Sequence, residues 1–441
     1  MAYLTRYVWA ELSPEERISL MARPSDSSNA FEVAGRILSE VREEGEAAVR
    51  RYAKELDGYA PADFRVPASE LMAAANALNP KDTDAILAAA DAVRRYHAQQ
   101  GYKSYSLETW PGGVAERRVT PLEVAGLYVP AGTAPLVSTL LMLAIPAQIA
   151  GVSRIAVLTP PMNGAMKGKG PDRTILGAAG LLGLDEVYAL GGAHGIAALG
   201  FGVAGLPRAD RIFGPGNAYV AAAKALLAQT PGGAATDLPA GPSEVIIIAD
   251  DGADPDFVAL DLLAQAEHDR LAQVVLIAFS QRFVDCVERA LKARLEALPR
   301  RDIAAAALGA SKAFLVRDEA DAVAAANAYA GEHLIIQTAD PEAICAQIRH
   351  AGSIFIGPWT PEAAGDYAAG PNHALPTAGA ARAYGGVSVE MFQKTASVLR
   401  FDARGAAAIA PVVERLAALE GLDAHRLAMA VRREKAEEGR I

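Results

Sequence analysis

The chain has 441 residues, 51% of them apolar, and a net charge of −10. That length allows roughly two to four domains with large cores. The acidic balance, with Lys and Arg dispersed, argues against nucleic acid or an anionic membrane as the main partner.

Near the start stand Glu11, Glu15 and Glu16, with no apolar signal core, so no secretory peptide is visible. Residues 30 to 105 read as helices, because Val33, Ile37, Val41, Ala48 and Tyr52 recur at roughly helical spacing. From residue 124 the pattern becomes short apolar runs, each followed by a glycine turn and a helix. The runs are Val124–Val129, Arg154–Leu158, Glu186–Leu190, Arg211–Phe213 and Val245–Ala249, with helices starting near Pro135, Arg173, Gly195 and Ala218. Repetition of strand, helix, strand implies a parallel sheet covered on both faces. A second series follows at Val274–Ala278, Phe314–Val316, His333–Gln337 and Ser353–Ile356. The expectation is an α/β protein with two lobes and a ligand cleft outside the carboxyl ends of the strands.

The longest apolar stretch, Leu136 to Val152, is interrupted by Ser138, Thr139, Pro146 and Gln148, and is too short to span a bilayer. Residues 161–171 are rich in Gly, Lys and Met and follow a strand, which reads as a surface loop. Cys286 and Cys345 form no Cys-x-x-Cys and sit in helical contexts, so thiol chemistry is not expected and a reducing compartment fits. Residues 357 to 390 are rich in Gly, Pro and Ala with little periodicity, and such long irregular stretches are more often functional than idle. The last fifty residues return to helix.

Chemistry-bearing residues cluster in a few segments. Gln265 and His268 lie three apart in an apolar helical pattern and share one face, so both can reach one small cation. Alone, that stretch reads at least as well as a helix whose polar face happens to carry Gln and His. Glu332 and His333 open a strand and form a candidate acid/base pair at its lip, or else a solvated strand end. Asp366, in the irregular stretch, suits a metal ligand or a helix cap. No Gly-x-Gly-x-x-Gly stands at a strand end. The strand-to-helix turns Gly191-Gly-Ala-His194-Gly and Gly214-Pro-Gly-Asn217 offer amides at helix starts to an anion, or are only tight turns. His350 ends a helix and is expected to face solvent.

Taken together, these segments resemble the histidinol dehydrogenase family almost end to end. The resemblance rests on Gly126-Leu-Tyr128-Val-Pro-Ala-Gly-Thr-Ala-Pro135, Gly214-Pro-Gly-Asn217-Ala-Tyr, Ala240-Gly-Pro-Ser243-Glu-Val, Asp261–His268, Glu332-His333-Leu, Gly365–Thr377 and Glu420–His425, in the family's order. It implies a zinc- and NAD-dependent oxidation of histidinol to histidine in two steps, in a cytoplasmic homodimer. Carried over by position, Gln265, His268, Asp366 and His425 are the implied zinc ligands. Glu332 and His333 match the acid/base pair, and Tyr128, His194 and Asn217 match NAD contacts. The implied substrate contacts are Ser243, Gln265, His268, Glu332, His333, Asp366, Glu420 and His425. Glu420 and His425 would complete the site of the other subunit, Gly421 allowing a bend between them.

On this reading the fold is two Rossmann-like lobes with an incomplete dinucleotide fingerprint, flanked by small helical segments used in dimerisation. The implied division is an N-terminal helical segment at 1–29, a first lobe at 30–122 with 250–385, an NAD-binding lobe at 123–249 and a C-terminal helical segment at 386–441. The sequence departs from the family at His194, where glutamine is usual, at Pro371, where threonine is common, and in the 161–171 insert. Alternatives are a paralogous zinc/NAD dehydrogenase for another small polar or sulfonated alcohol, and a non-catalytic zinc-binding dimer. The intact Glu332, His333 and metal-ligand positions argue against the last.

Overall fold

Continuous apolar runs bounded by glycine turns fold here as buried parallel strands. The computed structural model describes residues 3–23, 29–131, 134–162, 170–239 and 241–439. Parts of two sequence motifs (132–133 and 240) and most of the 161–171 insert expected to be a surface loop (163–169) lie outside them.

The strands, in chain order, begin with β1 (Thr5–Val8), β2 (Tyr105–Trp110), β3 (Gly113–Pro121) and β4 (Val124–Tyr128). Next come β5 (Arg154–Thr159), β6 (Val187–Ala189), β7 (Arg211–Phe213), β8 (Ala235–Thr236) and β9 (Glu244–Ala249). The last are β10 (Gln273–Ala278), β11 (Lys312–Leu315), β12 (His333–Gln337), β13 (Ser353–Ile356) and β14 (Gln393–Phe401).

They form three sheets. One is parallel, in the order β6-β5-β4-β7-β8, and its order reverses between β4 and β7. Such a reversal opens a crevice at the carboxyl ends of the two strands. The second is parallel, in the order β1-β11-β10-β9-β12-β13. The third is antiparallel, β14-β3-β2.

Apolar clusters cover both faces of each parallel sheet. On the five-stranded sheet, Leu140–Ala147 and Ile175–Ala179 pack on one face, and Ile196–Leu199 with Val220–Leu227 on the other. On the six-stranded sheet, Val258–Ala266 and Phe283–Leu295 oppose Ala322–Tyr329. Both faces of the central strands are therefore dry, which is why those strands read as unbroken apolar runs.

The packing divides the chain differently from the expected bounds. Helix Ala30–Glu44 packs on Gly192–Phe201 and Ala218–Gln229, and Ala68–Asn76 packs on Arg173–Leu181, so residues 30–97 belong to the five-stranded lobe. β9 pairs with β10 and β12, so the stretch of the six-stranded lobe expected from 250 starts at Glu244. The N-terminal segment is not purely helical, since β1 is an edge strand beside β11. A helix at Pro14–Leu20 follows it, started by a Ser13/Glu16 capping box. The C-terminal segment opens with β14, which pairs with β3. Helices Ala403–Leu419 and Asp423–Glu437 then fold back on each other around Gly421, whose φ of +71° no β-carbon favours. No helix among the described residues is long and apolar enough to cross a membrane.

Candidate active site and metal centre

One cleft gathers side chains from both lobes. It is lined by Thr139, Gly214, Pro215 and Asp237 from the five-stranded lobe, and by Ser243, His268, Glu332, His333, Asp366 and His373 from the other. The first group follows the carboxyl ends of β4, β7 and β8, as expected of an open parallel sheet. The second group does not. Glu332 and His333 stand at the amino end of β12, and Ser243 immediately precedes β9. The cleft thus joins the carboxyl edge of one sheet to the amino edge of the other.

Helix Pro255–Ala266, capped by Asp254, buries Val258, Leu262 and Leu263 in the core and delivers Gln265 at its last turn. His268 lies just beyond, its N–H 3.2 Å from the Gln265 carbonyl. Gln265 is completely buried. With its amide N–H groups facing acceptors, Nε2 lies 2.9 Å from Oε1 of Glu362 and 3.1 Å from the Glu244 carbonyl. A fixed amide of this kind leaves its oxygen for another partner.

Asp366 sits on the short helix Glu362–Tyr367, near its end, so it is not a helix cap. Its Oδ2 is 4.0 Å from Nε2 of His268, and its Oδ1 is 3.7 Å from Nε2 of His333. His268, Glu362 and Asp366 each offer a ligand atom, all within 4.8 Å of one another. Glu362 is buried, and its Oε2 has no hydrogen-bond partner among the described residues. An unpartnered buried carboxylate oxygen beside an imidazole and a second carboxylate suits a divalent ion with nitrogen and oxygen ligands. Glu362 was not foreseen from the sequence. Its only signal is its place four residues before Asp366, one helical turn away on the same face.

Electrostatics in the cleft follow from burial. The Glu332 carboxyl is pushed well above the usual range by burial, reinforced by the charges of Glu244 and Asp366. Glu362 is raised by burial and by Asp366, Glu332 and Asp261. Burial also raises Asp366, with His268 opposing. Desolvation pushes His333 down to about 3 and lowers His268 and His373. The imidazoles are therefore neutral near pH 7, the form that binds metal or accepts a proton.

Glu332 is anchored through the main chain of Glu244, whose N–H donates to Glu332 Oε2 at 2.9 Å. The Glu244 carbonyl lies 3.2 Å from His333 Nδ1. Glu244 is itself clamped, because Arg23 donates to both of its carboxylate oxygens at 2.9 and 3.0 Å, and the Ala378 N–H adds a third bond at 2.8 Å. His373, also unforeseen as a site residue, donates from Nδ1 to the Asp366 carbonyl at 2.7 Å and meets Thr139 Oγ1 at 3.2 Å. It ties the two lobes together beside the carboxylate.

Of the residues matched to cofactor contacts, Tyr128 ends β4 and Asn217 caps helix Ala218–Gln229, accepting from the Tyr219 and Val220 N–H groups at 3.1 Å. The two stand at the reversal point of the five-stranded sheet. Gly214 and Gly216 of the intervening turn have no room for a side chain, a Cβ at Gly216 coming within 2.3 Å of Val220. The Tyr128 hydroxyl accepts from the Gly192 N–H at 3.4 Å. His194 departs from the expected cofactor-facing position. Its ring is wholly buried, with Nε2 3.2 Å from Asp57 Oδ2 and Tyr52 stacked at 6.2 Å, so its hydrogen bond goes into the lobe. Ser243 lines the cleft, whereas Glu420 and His425 are exposed on the C-terminal hairpin and do not line it.

The family model described as histidinol dehydrogenase matches residues 21–433 of the chain. A histidinol dehydrogenase of Vibrio parahaemolyticus is 41% identical, over 98% of this chain and 99% of the relative. One from Xanthomonas euvesicatoria is 43% identical, over 96% of this chain and 98% of the relative. The crystal structure of histidinol dehydrogenase from Elizabethkingia anophelis superposes with a TM-score of 0.92 at 37% identity, covering 99% of each chain.

Proposed function

Because this chain belongs to the histidinol dehydrogenase family, we propose that it oxidises L-histidinol to L-histidine through L-histidinal, with two successive hydride transfers to NAD. The observation that carries this reading is the convergence of a neutral buried imidazole, His333, and a carboxyl of raised pKa, Glu332, on the cleft that holds His268 and Asp366.

Gln265, His268 and Asp366 would hold a zinc ion, with His425 from a second copy. When bound, the ion supplies a fixed positive centre that draws and orients the imidazole and amine nitrogens of the amino alcohol. Glu362, by accepting from Gln265 Nε2, turns the amide oxygen away from itself and adds negative charge beside that centre. When bound, NAD supplies the hydride acceptor for both oxidations. The turns at Gly191–Gly195 and Gly214–Asn217 favour a dinucleotide, since each places main-chain amides at a helix start.

His333 keeps a proton on Nδ1, accepted by the Glu244 carbonyl, and presents Nε2 as the base. It takes the hydroxyl proton as hydride leaves the carbinol carbon, giving the aldehyde. Glu332, held by the Glu244 N–H, accepts a proton from water as that water adds to the aldehyde. Loss of a second hydride and a proton from the hydrate gives the carboxylic acid. A raised pKa suits a carboxyl that must gain and lose a proton near neutral pH.

A homodimer is favoured by the C-terminal hairpin, which exposes Leu416, Leu419, Leu422, Leu427 and Val431, and by Tyr105, Leu107 and Leu399 on the antiparallel sheet. Exposed apolar residues this numerous favour coverage by a second copy. Glu420 and His425, on the same hairpin, would then reach the other copy's cleft. Ser243, Glu420 and His425 are all retained, and the relatives named above share one name, which favours histidinol over another small polar alcohol. A cytoplasmic setting suits such a biosynthetic enzyme. Release of NADH on adding histidinol, and a second NADH as histidinal is consumed, tests the reading.

A further inference from the structure

A buried ion pair stands at the edge of the cleft. Lys224, on helix Ala218–Gln229, and Asp237, just after β8, are both buried, with Nζ 2.5 Å from Oδ1. Both are also bonded to the main chain of one residue. Lys224 Nζ donates to the Gly214 carbonyl at 2.7 Å, and Asp237 Oδ2 accepts the Gly214 N–H at 2.7 Å. Thr236 Oγ1 completes the carboxylate with a bond of 3.1 Å to Oδ1.

Gly214 is an unusual place for such a clamp. It follows β7 at the sheet's reversal point, has φ +110°, and a Cβ there would lie 2.2 Å from the Tyr128 carbonyl. The turn therefore lies directly on the end of β4. Gly214, Pro215 and Asp237 line the cleft together with Glu332 and His333. Removing a lysine and an aspartate from water is costly for each ion, and well-packed apolar residues commonly stabilise a fold as well or better. A buried pair is thus weak evidence for a purely stabilising role. Its geometry instead fixes both polar groups of the residue that sets the turn.

We propose that Lys224 and Asp237 are positioning residues that hold the Gly214–Asn217 turn as the dinucleotide-facing wall of the cleft, and so set NAD affinity and the geometry of hydride transfer. This rests on the NAD-dependent reading given above. Neither residue touches the reacting atoms. Lys224 reaches back two helical turns to the turn that precedes its own helix, while Asp237 ties that turn to β8, so the loops after β7 and β8 move as one.

The test compares Lys224→Met, Asp237→Asn, the conservative Lys224→Arg and the double variant Lys224→Met/Asp237→Leu, which refills the space with apolar groups. For each, calorimetry measures NAD binding to the protein without substrate, and thermal melting reports folding. Steady-state rates give separate KM values for NAD and histidinol, and alcohol deuterated at the carbinol carbon gives the isotope effect. The proposal expects NAD to bind about tenfold or more weakly in Lys224→Met and in the folded double variant, with a changed isotope effect. It expects a histidinol KM within about twofold of wild type and partial recovery in Lys224→Arg. If single variants fail to fold, the double variant and Lys224→Arg carry the test. A folded double variant with unchanged NAD affinity and isotope effect, altered only in melting temperature, overturns the proposal. Failure of the wild-type protein itself to bind NAD overturns both this inference and the NAD-dependent reading.

Discussion

Oε2 of Glu332 lies 3.8 Å from Nδ1 of His333, although neighbours on an extended strand point to opposite faces. The pair escapes that alternation because it stands at the entrance of β12, where Glu332 still precedes the first paired residue. Both line one cleft, and both lean on the main chain of one residue, since Glu244 donates its N–H to Glu332 and offers its carbonyl to His333. A single residue, its side chain clamped from behind by Arg23, therefore sets both side chains.

Division of labour between the two follows. His333→Asn is expected to lose oxidation of the alcohol, whereas Glu332→Gln is expected to retain histidinol turnover to the aldehyde and lose oxidation of histidinal. Loss of one positioned acid or base typically costs ~10²–10⁴ in rate. Separate single-turnover assays starting from histidinol and from histidinal check this. Near wild-type rates on both substrates in either variant would remove the role assigned to that residue.

Glu362 is expected to matter through metal affinity. Because its Oε1 fixes the Gln265 amide and its Oε2 is unpartnered, Glu362→Ala should weaken zinc binding by roughly 10–100-fold. Glu362→Gln should be intermediate, since a neutral amide can still accept from Gln265. Competition with a chromophoric chelator measures this, and equal zinc affinity in all three proteins would exclude the role.

Asp261 offers a pH test. Burial raises its pKa to about 7, with the bond from Gln337 Nε2 at 3.1 Å opposing the shift. In the unfolded chain the carboxyl ionises near 4. Between those values the unfolded state binds fewer protons, so this group's contribution to stability is present below about pH 4 and is lost as pH rises through about 7. Asp261→Asn stays neutral throughout. Its melting temperature relative to wild type should climb from pH 5 to pH 8, the full gap amounting to a few kcal/mol. A constant difference across that range would contradict the assignment.

The central strands were legible because β4, β6, β9, β10 and β12 are buried on both faces and read as plain apolar runs. β1, β2, β3 and β14 were not, because sequences such as Tyr105–Trp110 and Gln393–Phe401 lie largely exposed and mix charged with apolar residues. The domain bounds suffered for a related reason. Helices 30–97 carry amphipathic patterns that specify a buried face without naming the sheet it meets. In the site, Gln265, His268, Glu332, His333 and Asp366 stood in recognisable segments, and the fold brings all five together. Glu362, Lys224 and Asp237 had no motif. Their meaning lies in contacts made by tertiary folding, such as Lys224 among the alanines and leucines of its helix.

The shared-site model has its own test. His425→Ala and His268→Ala proteins should each be nearly inactive, because His425 is exposed on the hairpin while His268 lines the cleft. Mixed into heterodimers they should regain activity, since one of the paired sites then holds both histidines. Mixed dimers that form but stay inactive, from homodimers that remain folded, would assign His425 to its own chain.

The most direct measurement is NADH release from histidinol by the purified protein, before and after a strong chelator and then after zinc is restored. Zinc- and NAD-dependent oxidation of histidinol gives two NADH per histidinol converted to histidine, near-complete loss with chelator while the fold persists, and recovery on adding zinc. Full turnover in protein shown by elemental analysis to hold no metal would contradict it, as would the absence of NADH from zinc-loaded enzyme given histidinol.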